Sequence, residues 1–218
     1  MNFELLNFEK YERKEHFLHY LNNVPCTYSI SADLDITRLF AELKKRNIRF
    51  YPVIIFAITA IVNKHSELRM ALDEQGRLGY YSFVSPTYTI FHKDNNTFSS
   101  IWTEYSSEFD KFYNNYNKDI LEYGNIKGFI TKQNGEKNLI NISVIPWVSF
   151  TSFNLNLPQN DKYLLPIFTV GKFFESNEKL SLPLSVQVHH SVCDGFHASI
   201  FINELQEMLT NYEKWLNI

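Results

Sequence analysis

The sequence predicts an α/β two-layer sandwich, in which one large mixed β-sheet carries helices packed mainly on one of its faces. Three observations lead there. β-rich runs outnumber helical ones by about two to one, and they do not alternate strictly with helices as a parallel βαβ chain would. One helical run is apolar on every side, so it must lie buried. Repeats and Pro/Gly/Ser-rich linkers are absent from the sequence, so residues 1–218 are expected to form one domain.

"CTYSISADL", starting at Cys26, is the first β-rich run. "DITRLFAELKKRN" then sets Ile36, Leu39, Phe40 and Leu43 at helical spacing behind Asp35, a suitable N-cap, which predicts an amphipathic helix from Asp35 to Arg46. Pro52 suits the first helical position, and the apolar residues after it predict a buried helix over 52–64. "RMALD", "TYTIFH" and "FSSIWTEY" read as strands. "SSEFDKFYNNYNKDILEY" offers Ser106 or Ser107 as a cap and lines Phe109, Phe112, Tyr113, Tyr116 and Ile120 along one face of a third helix. The strands "NLINISVIPW", "PIFTVGKFF" and "LSLPLSVQVHH" follow, the last ending at His190. A tight turn leads to Asp194 and Gly195, which open a final helix from Phe196 to Trp215 with Ile200, Phe201, Leu205, Met208 and Leu209 inward.

A chain of 218 residues, 44% of them hydrophobic, can fill a core. Its net charge of -3, with Lys and Arg scattered, offers no basic field for a phosphate backbone, so no nucleic acid partner is expected. The longest apolar run, Val53 to Val62, is far short of the roughly 20 residues that a membrane span needs, and the N-terminus mixes charges through its first turns where a secretory signal would be apolar. A soluble, cytoplasmic protein with no membrane partner is expected. Two cysteines, Cys26 and Cys193, cannot build a disulfide framework and fit a reducing compartment. Aromatic residues are 16% of the chain, which suits either a Phe-rich core or an aromatic-walled pocket for a flat apolar ligand.

The densest chemistry lies in "QVHHSVCDGFH", residues 187–197. His189, His190, Cys193, Asp194 and His197 superficially supply a metal site, but adjacent strand histidines point to opposite faces and no second ligand pair such as CxxC exists, so no metal is expected. Cys193 near a helix N-terminus could be a nucleophile with a histidine base, although a small apolar cysteine filling a turn is the commoner case. A purely structural reading makes the histidines satisfied core residues and Asp194 a helix cap.

"HHSVCDG" matches the HHxxxDG motif of the coenzyme A-dependent acyltransferases, and "SVQVHHSVCDGFH" closely resembles the chloramphenicol acetyltransferase family. "RKEHF", "FYPV", "ELRMA", "FSSIWTEY", "NISVIPWVSFTSFNLN" and "PIFTVGK" resemble that family in the same order, so the similarity runs essentially end to end. The resemblance implies the coenzyme A-dependent acyltransferase fold and transfer of acetyl from acetyl-CoA to the 3-hydroxyl of chloramphenicol, which confers resistance, with no metal or prosthetic group. Such a reaction needs a base for the hydroxyl proton and a donor for the tetrahedral oxyanion. By the motif, His190 is the base, its other nitrogen bonded to its own carbonyl, and His189 faces the core as support. Asp194 is implied to pair with Arg13, Ser143 to stabilise the oxyanion, and Thr169 to hold a water near it. Tyr20, Val24, Cys26, Tyr28, Phe98, Leu155 and Ile167 are implied to contact the acceptor, and Lys172 and Phe173 the coenzyme. Val24 stands where leucine is familiar in the family, Tyr28 where phenylalanine is, and Phe173 where tyrosine is. The family implies a homotrimer whose active sites lie between subunits, with His190 from one and most acceptor contacts from its neighbour. Two other readings compete: the same fold acting on an acceptor such as a dihydrolipoyl group, whose enzymes normally carry lipoyl domains upstream, and a non-catalytic protein that sequesters the drug.

Overall fold

The computed structural model describes residues 3–133, 137–157 and 162–217. A seven-stranded mixed sheet is its centre, in the order β2 (Thr27–Asp35), β10 (Lys179–His189), β8 (Ile167–Val170), β7 (Leu139–Val144), β5 (Ser85–His92) and β6 (Thr97–Trp102), with β9 (Phe174–Ser176) pairing the start of β10. β5–β7 and β7–β8 run parallel and the other pairs antiparallel. A small second sheet joins β1 (Phe3–Leu5), β4 (Leu78–Tyr81) and β3 (Met70–Leu72).

Strand side chains alternate between faces, and here the alternation separates core from outer surface. Leu182, Leu184, Val186 and Val188 of β10, Phe168 and Val170 of β8, and Ile140 and Ile142 of β7 are all buried on one face. Against that face pack α3 (Phe50–Val62), α4 (Phe109–Tyr123) and α5 (Gly195–Thr210), while α2 (Thr37–Arg46) lies beside α5 and β10. Phe201 of α5 meets Phe168 at 5.0 Å between ring centroids, and Tyr116 of α4 stacks on Tyr88 of β5 at 5.1 Å. α3 is buried from Pro52 to Thr59 without a break, as its uniform apolarity requires. The two-layer arrangement is the one expected.

Several boundaries differ from the sequence reading. Asp35 closes β2, and α2 starts two residues later; its Oδ1 nonetheless accepts the Thr37 N–H at 3.0 Å and the Thr37 hydroxyl at 2.7 Å, so it still satisfies a free donor of the first turn. Pro52 is the third helical residue of α3, where its missing N–H is still one the helix does not use. Glu108, not Ser106 or Ser107, precedes α4, and Ser106 Oγ accepts the Glu108 N–H at 3.2 Å. β10 ends at His189, and the run after Pro166 splits at Gly171 into β8 and β9. A side chain at Gly171 would come within 2.9 Å of the Phe150 ring. α5 stops at Thr210, after which the indole N–H of Trp215 bonds back to the Met208 carbonyl at 2.9 Å and folds its ring under α3 and α4. β1 and β4 had no counterpart in the sequence reading.

Phe56 is the hub of that packing, with Phe109, Phe112 and Trp215 centroids at 5.1, 5.6 and 5.4 Å. Phe56→Ala should lower the unfolding free energy by about 3–5 kcal/mol, read from the urea midpoint. A loss below about 1 kcal/mol would show that these layers do not share one core.

Candidate active site

β10 delivers its last residue, His189, into a short turn that α5 ends. The His190 N–H still reaches the Cys26 carbonyl at 3.0 Å, one residue before β2, and the His189 carbonyl accepts the N–H groups of Val192 and Cys193 at 3.2 and 3.1 Å. The turn is therefore held by backbone bonds on both sides. Asp194 caps α5, its carboxylate accepting the Phe196 N–H at 3.0 Å.

His190 projects between two tyrosines. Tyr20 lies face to face with the imidazole, centroids 3.9 Å apart and planes 12° apart, and Tyr28 meets it edge-on at 5.2 Å and 69°. Tyr20 comes from a single π turn, His19–Asn23, that continues the short helix α1 (Lys14–Leu18). Such turns are frequent at functional sites because they re-aim one side chain. Tyr28 donates its hydroxyl to the Cys193 carbonyl at 3.4 Å, and burial first, with the nearby charge of Asp194, pushes its phenol up, so it stays a donor. Nδ1 of His190 is buried with no hydrogen-bond partner among the described residues, so the bond expected to its own carbonyl is not among the contacts. His189 is buried beside it, its Nδ1 at 2.7 Å from the Ser191 hydroxyl and accepting the Ser191 N–H at 3.2 Å.

Arg13, immediately before α1, pairs through Nη1 with Oδ2 of Asp194. The pair joins residues 181 positions apart and ties the segment carrying Tyr20 to the turn carrying His190. It is single-toothed: among the described residues Arg13 Nε and Nη2, both buried, have no hydrogen-bond partner. Its side chains are 19% and 33% exposed, so it is more open than a fully buried pair. His197 Nδ1 stands 2.8 Å from Asp194 Oδ1 and 3.2 Å from the Asp194 N–H; one nitrogen serves only one of these, donating when protonated and accepting when not. Burial acts to raise the Asp194 carboxyl, but the charge of His197, the hydrogen bond and charge of Arg13 and the Phe196 N–H outweigh it and hold the carboxyl below its usual value.

Cys193 is no nucleophile here. It is buried, its thiol donates to the Glu67 carbonyl at 3.5 Å, and desolvation pushes its pKa far up, which removes the thiolate. Among the described residues no group of three or more His, Cys, Asp and Glu could hold a metal ion.

Ser143 and Thr169 lie on the outer face of the sheet. Ser143 of β7, Thr169 of β8, Ser185 of β10 and Ser31 of β2 stand side by side in register. Ser185 precedes His190 by five residues, about 17 Å along the strand, and two strand spacings carry Ser143 about 10 Å further across. Ser143 and His190 of one chain therefore cannot flank one carbonyl carbon. Of the acceptor set, Tyr20, Cys26 and Tyr28 surround His190, while Ile167 pairs in register with Gln187 and the Leu155 N–H donates to Gln187 Oε1 at 2.8 Å. Val24 and Phe98 are half exposed, Phe98 on the far edge strand β6. Lys172 is exposed just after β8; its N–H donates to the Val148 carbonyl at 3.0 Å and its own carbonyl accepts the Ser149 hydroxyl at 2.7 Å. Phe173 leans on Phe40 and Phe50 at 4.9 and 6.2 Å. The stack of Tyr20 on His190 and the roles of His197 and Gln187 were not read from the sequence, since each depends on contacts between distant segments.

The profile of the chloramphenicol acetyltransferase family matches residues 1–206. A chloramphenicol acetyltransferase of Clostridium butyricum is 52% identical over 216 residues, 99% of each chain. One from Vibrio anguillarum is 46% identical over 213 residues, 98% of this chain and 97% of that protein. A solved chloramphenicol acetyltransferase matches with a TM-score of 0.84 at 23% identity, over 95% of this chain and 99% of that one. The dihydrolipoamide acetyltransferase of Azotobacter vinelandii matches with a TM-score of 0.63 at 18% identity, over 93% and 88%. These two structures share the fold, the coenzyme A-dependent acyltransferase fold expected above.

A depressed carboxyl contributes stability that is fully present above its unfolded pKa of about 3.9 and is lost as pH falls through its folded value. Asp194→Asn should therefore cost about 1–3 kcal/mol near neutral pH, between the values of open and buried pairs. The gap from wild type should close as the pH falls below about 4. Urea melts across pH check this; a gap that persists in acid would contradict the pair's contribution.

Proposed function

The chain belongs to the chloramphenicol acetyltransferase family, and from that premise we propose that it moves acetyl from acetyl-CoA to the 3-hydroxyl of chloramphenicol with His190 as general base. The observation that carries the base assignment is the clamped imidazole: stacked on Tyr20, edged by Tyr28 and covered at Nδ1, it is fixed in plane and aim. Nε2 takes the hydroxyl proton as the oxygen attacks the thioester carbonyl, and the proton leaves with the coenzyme thiol when the carbon–sulfur bond breaks. The forming oxyanion needs a donor, and Ser143 supplies it, with Thr169 beside it holding a water. No acyl-enzyme forms. Asp194 and Arg13 act at a distance, keeping the turn of His190 in place against Tyr20.

Because Ser143 and His190 of one chain stand too far apart, the site is completed by a second copy: the base of one meets the serine of another. Tyr20, Cys26 and Tyr28 stay with the base, which leaves Val24, Phe98, Leu155 and Ile167 to line the acceptor from either side. Exposed apolar side chains favour such an assembly, among them Phe98, Trp147, Val148 and Leu155. A homotrimer of one-domain subunits over residues 1–218, working in the cytoplasm, is the form proposed. Among the described residues no helix is long and apolar enough to cross a membrane. Lys172 and Phe173, past the end of β8, are proposed to meet the coenzyme.

Thiol release from acetyl-CoA in the presence of chloramphenicol tests the reading. His190→Ala should remain folded and release no thiol above background, and Ser143→Ala should lose about 100- to 1000-fold in kcat. Near-normal turnover by His190→Ala would remove the base assignment.

A further inference from the structure

After β7 an irregular segment that includes Phe153 and Leu155 lies over the outer face of the sheet. It is held by its backbone to three side chains of the sheet. The Phe153 N–H donates to Ser31 Oγ at 3.3 Å, and the Phe153 carbonyl accepts the Ser185 hydroxyl at 2.7 Å. Ser31 and Ser185 are register partners of β2 and β10. Two residues further along both segments, the Leu155 N–H donates to Gln187 Oε1 at 2.8 Å. The two-residue step of β10 thus matches a two-residue step of the segment, which lies along the strand as a ribbon stitched by side chains.

Gln187 is 4% exposed, and its buried Nε2 has no hydrogen-bond partner among the described residues. A buried amide with an unsatisfied donor is costly, and an apolar side chain of similar size would avoid that cost. Its orientation is fixed, because the Leu155 N–H is a donor and must face the oxygen. Ser29 also donates to that oxygen, at 3.4 Å. The contacts that an apolar residue could not make are these two, of which the bond from Leu155 is the shorter, and Ile167 sits directly opposite Gln187 in register.

We infer that Gln187, with Ser185 and Ser31, is a positioning residue that fixes Leu155 beside Ile167 as one wall of the acceptor site. The inference rests on the proposed acceptor role of Leu155 and Ile167. It assigns the clamp to recognition of the alcohol, not of the coenzyme.

Amide exchange in the unliganded full chain reads the clamp itself, and steady-state kinetics read its consequence. In wild type the Leu155 N–H should be protected although its side chain is open to solvent; Gln187→Met should abolish that protection and raise KM for chloramphenicol about tenfold, with KM for acetyl-CoA changed by less than about twofold. Gln187→Glu keeps an oxygen for the Leu155 N–H and should retain more protection and a lower KM than Gln187→Met. Ser185→Ala should loosen the same segment from its neighbouring stitch, giving a smaller rise in the same KM. An unprotected Leu155 amide in wild type, an unchanged chloramphenicol KM in Gln187→Met, or equal rises for both substrates would each overturn the inference. Wild-type protein that releases no thiol with chloramphenicol while its Leu155 amide is protected would instead overturn the proposed function, and with it the acceptor role of the clamp.

Discussion

The ion pair between Arg13 and Asp194 is the contact on which the geometry at His190 depends. It links the N-terminal α1 and π turn to the β10–α5 turn through opposite charge, and those two segments carry the two stacked rings. Stacking at 3.9 Å falls off steeply with separation, so the imidazole keeps its aim only while its two supports keep theirs. The carboxylate has three duties at once: it pairs with Arg13, caps α5 through the Phe196 N–H, and faces His197. An amide at this position could preserve the cap but not the charge, which separates helix capping from placement of the turn.

Polarity divides the molecule across the sheet. The inner face is closed by aromatic and aliphatic packing under α3, α4 and α5, and it explains where the stability resides. The outer face carries a row of hydroxyls, a stitched ribbon and exposed aromatic side chains such as Phe98 and Trp147. A surface with that mixture is poorly suited to water on its own and well suited to a second copy, whose arrival would dry the cleft and strengthen every polar contact in it.

Local periodicity was legible in the sequence, and contacts between distant segments were not. The alternation of Leu182, Leu184, Val186 and Val188 and the uniform apolarity of α3 are written in consecutive residues, so the sheet and the buried helix could be read. Helix ends were less legible: Asp35 and Ser106 were recognised as capping types, but the bonds they make, to Thr37 and Glu108, leave them two and three residues before the helix start. α5 ends early because the Trp215 indole turns back to Met208, a contact with no signal of its own. The assignment of His190 as base and the match of Arg13 to Asp194 both came from family resemblance, the first through the contiguous motif at 189–195. Gln187 was passed over because a lone glutamine in a strand looks like any polar residue until Leu155 is seen above it.

The division of one active site between two copies is the central claim, and subunit mixing tests it most directly. His190→Ala and Ser143→Ala chains, each deficient alone, would be co-expressed with distinguishable tags and the mixed oligomers isolated. If base and oxyanion donor come from different copies, some sites in the mixed oligomers regain both groups, and thiol release with chloramphenicol and acetyl-CoA should rise well above that of either parent. Mixed oligomers as inactive as their parents would place both residues in the same copy's site and contradict the account.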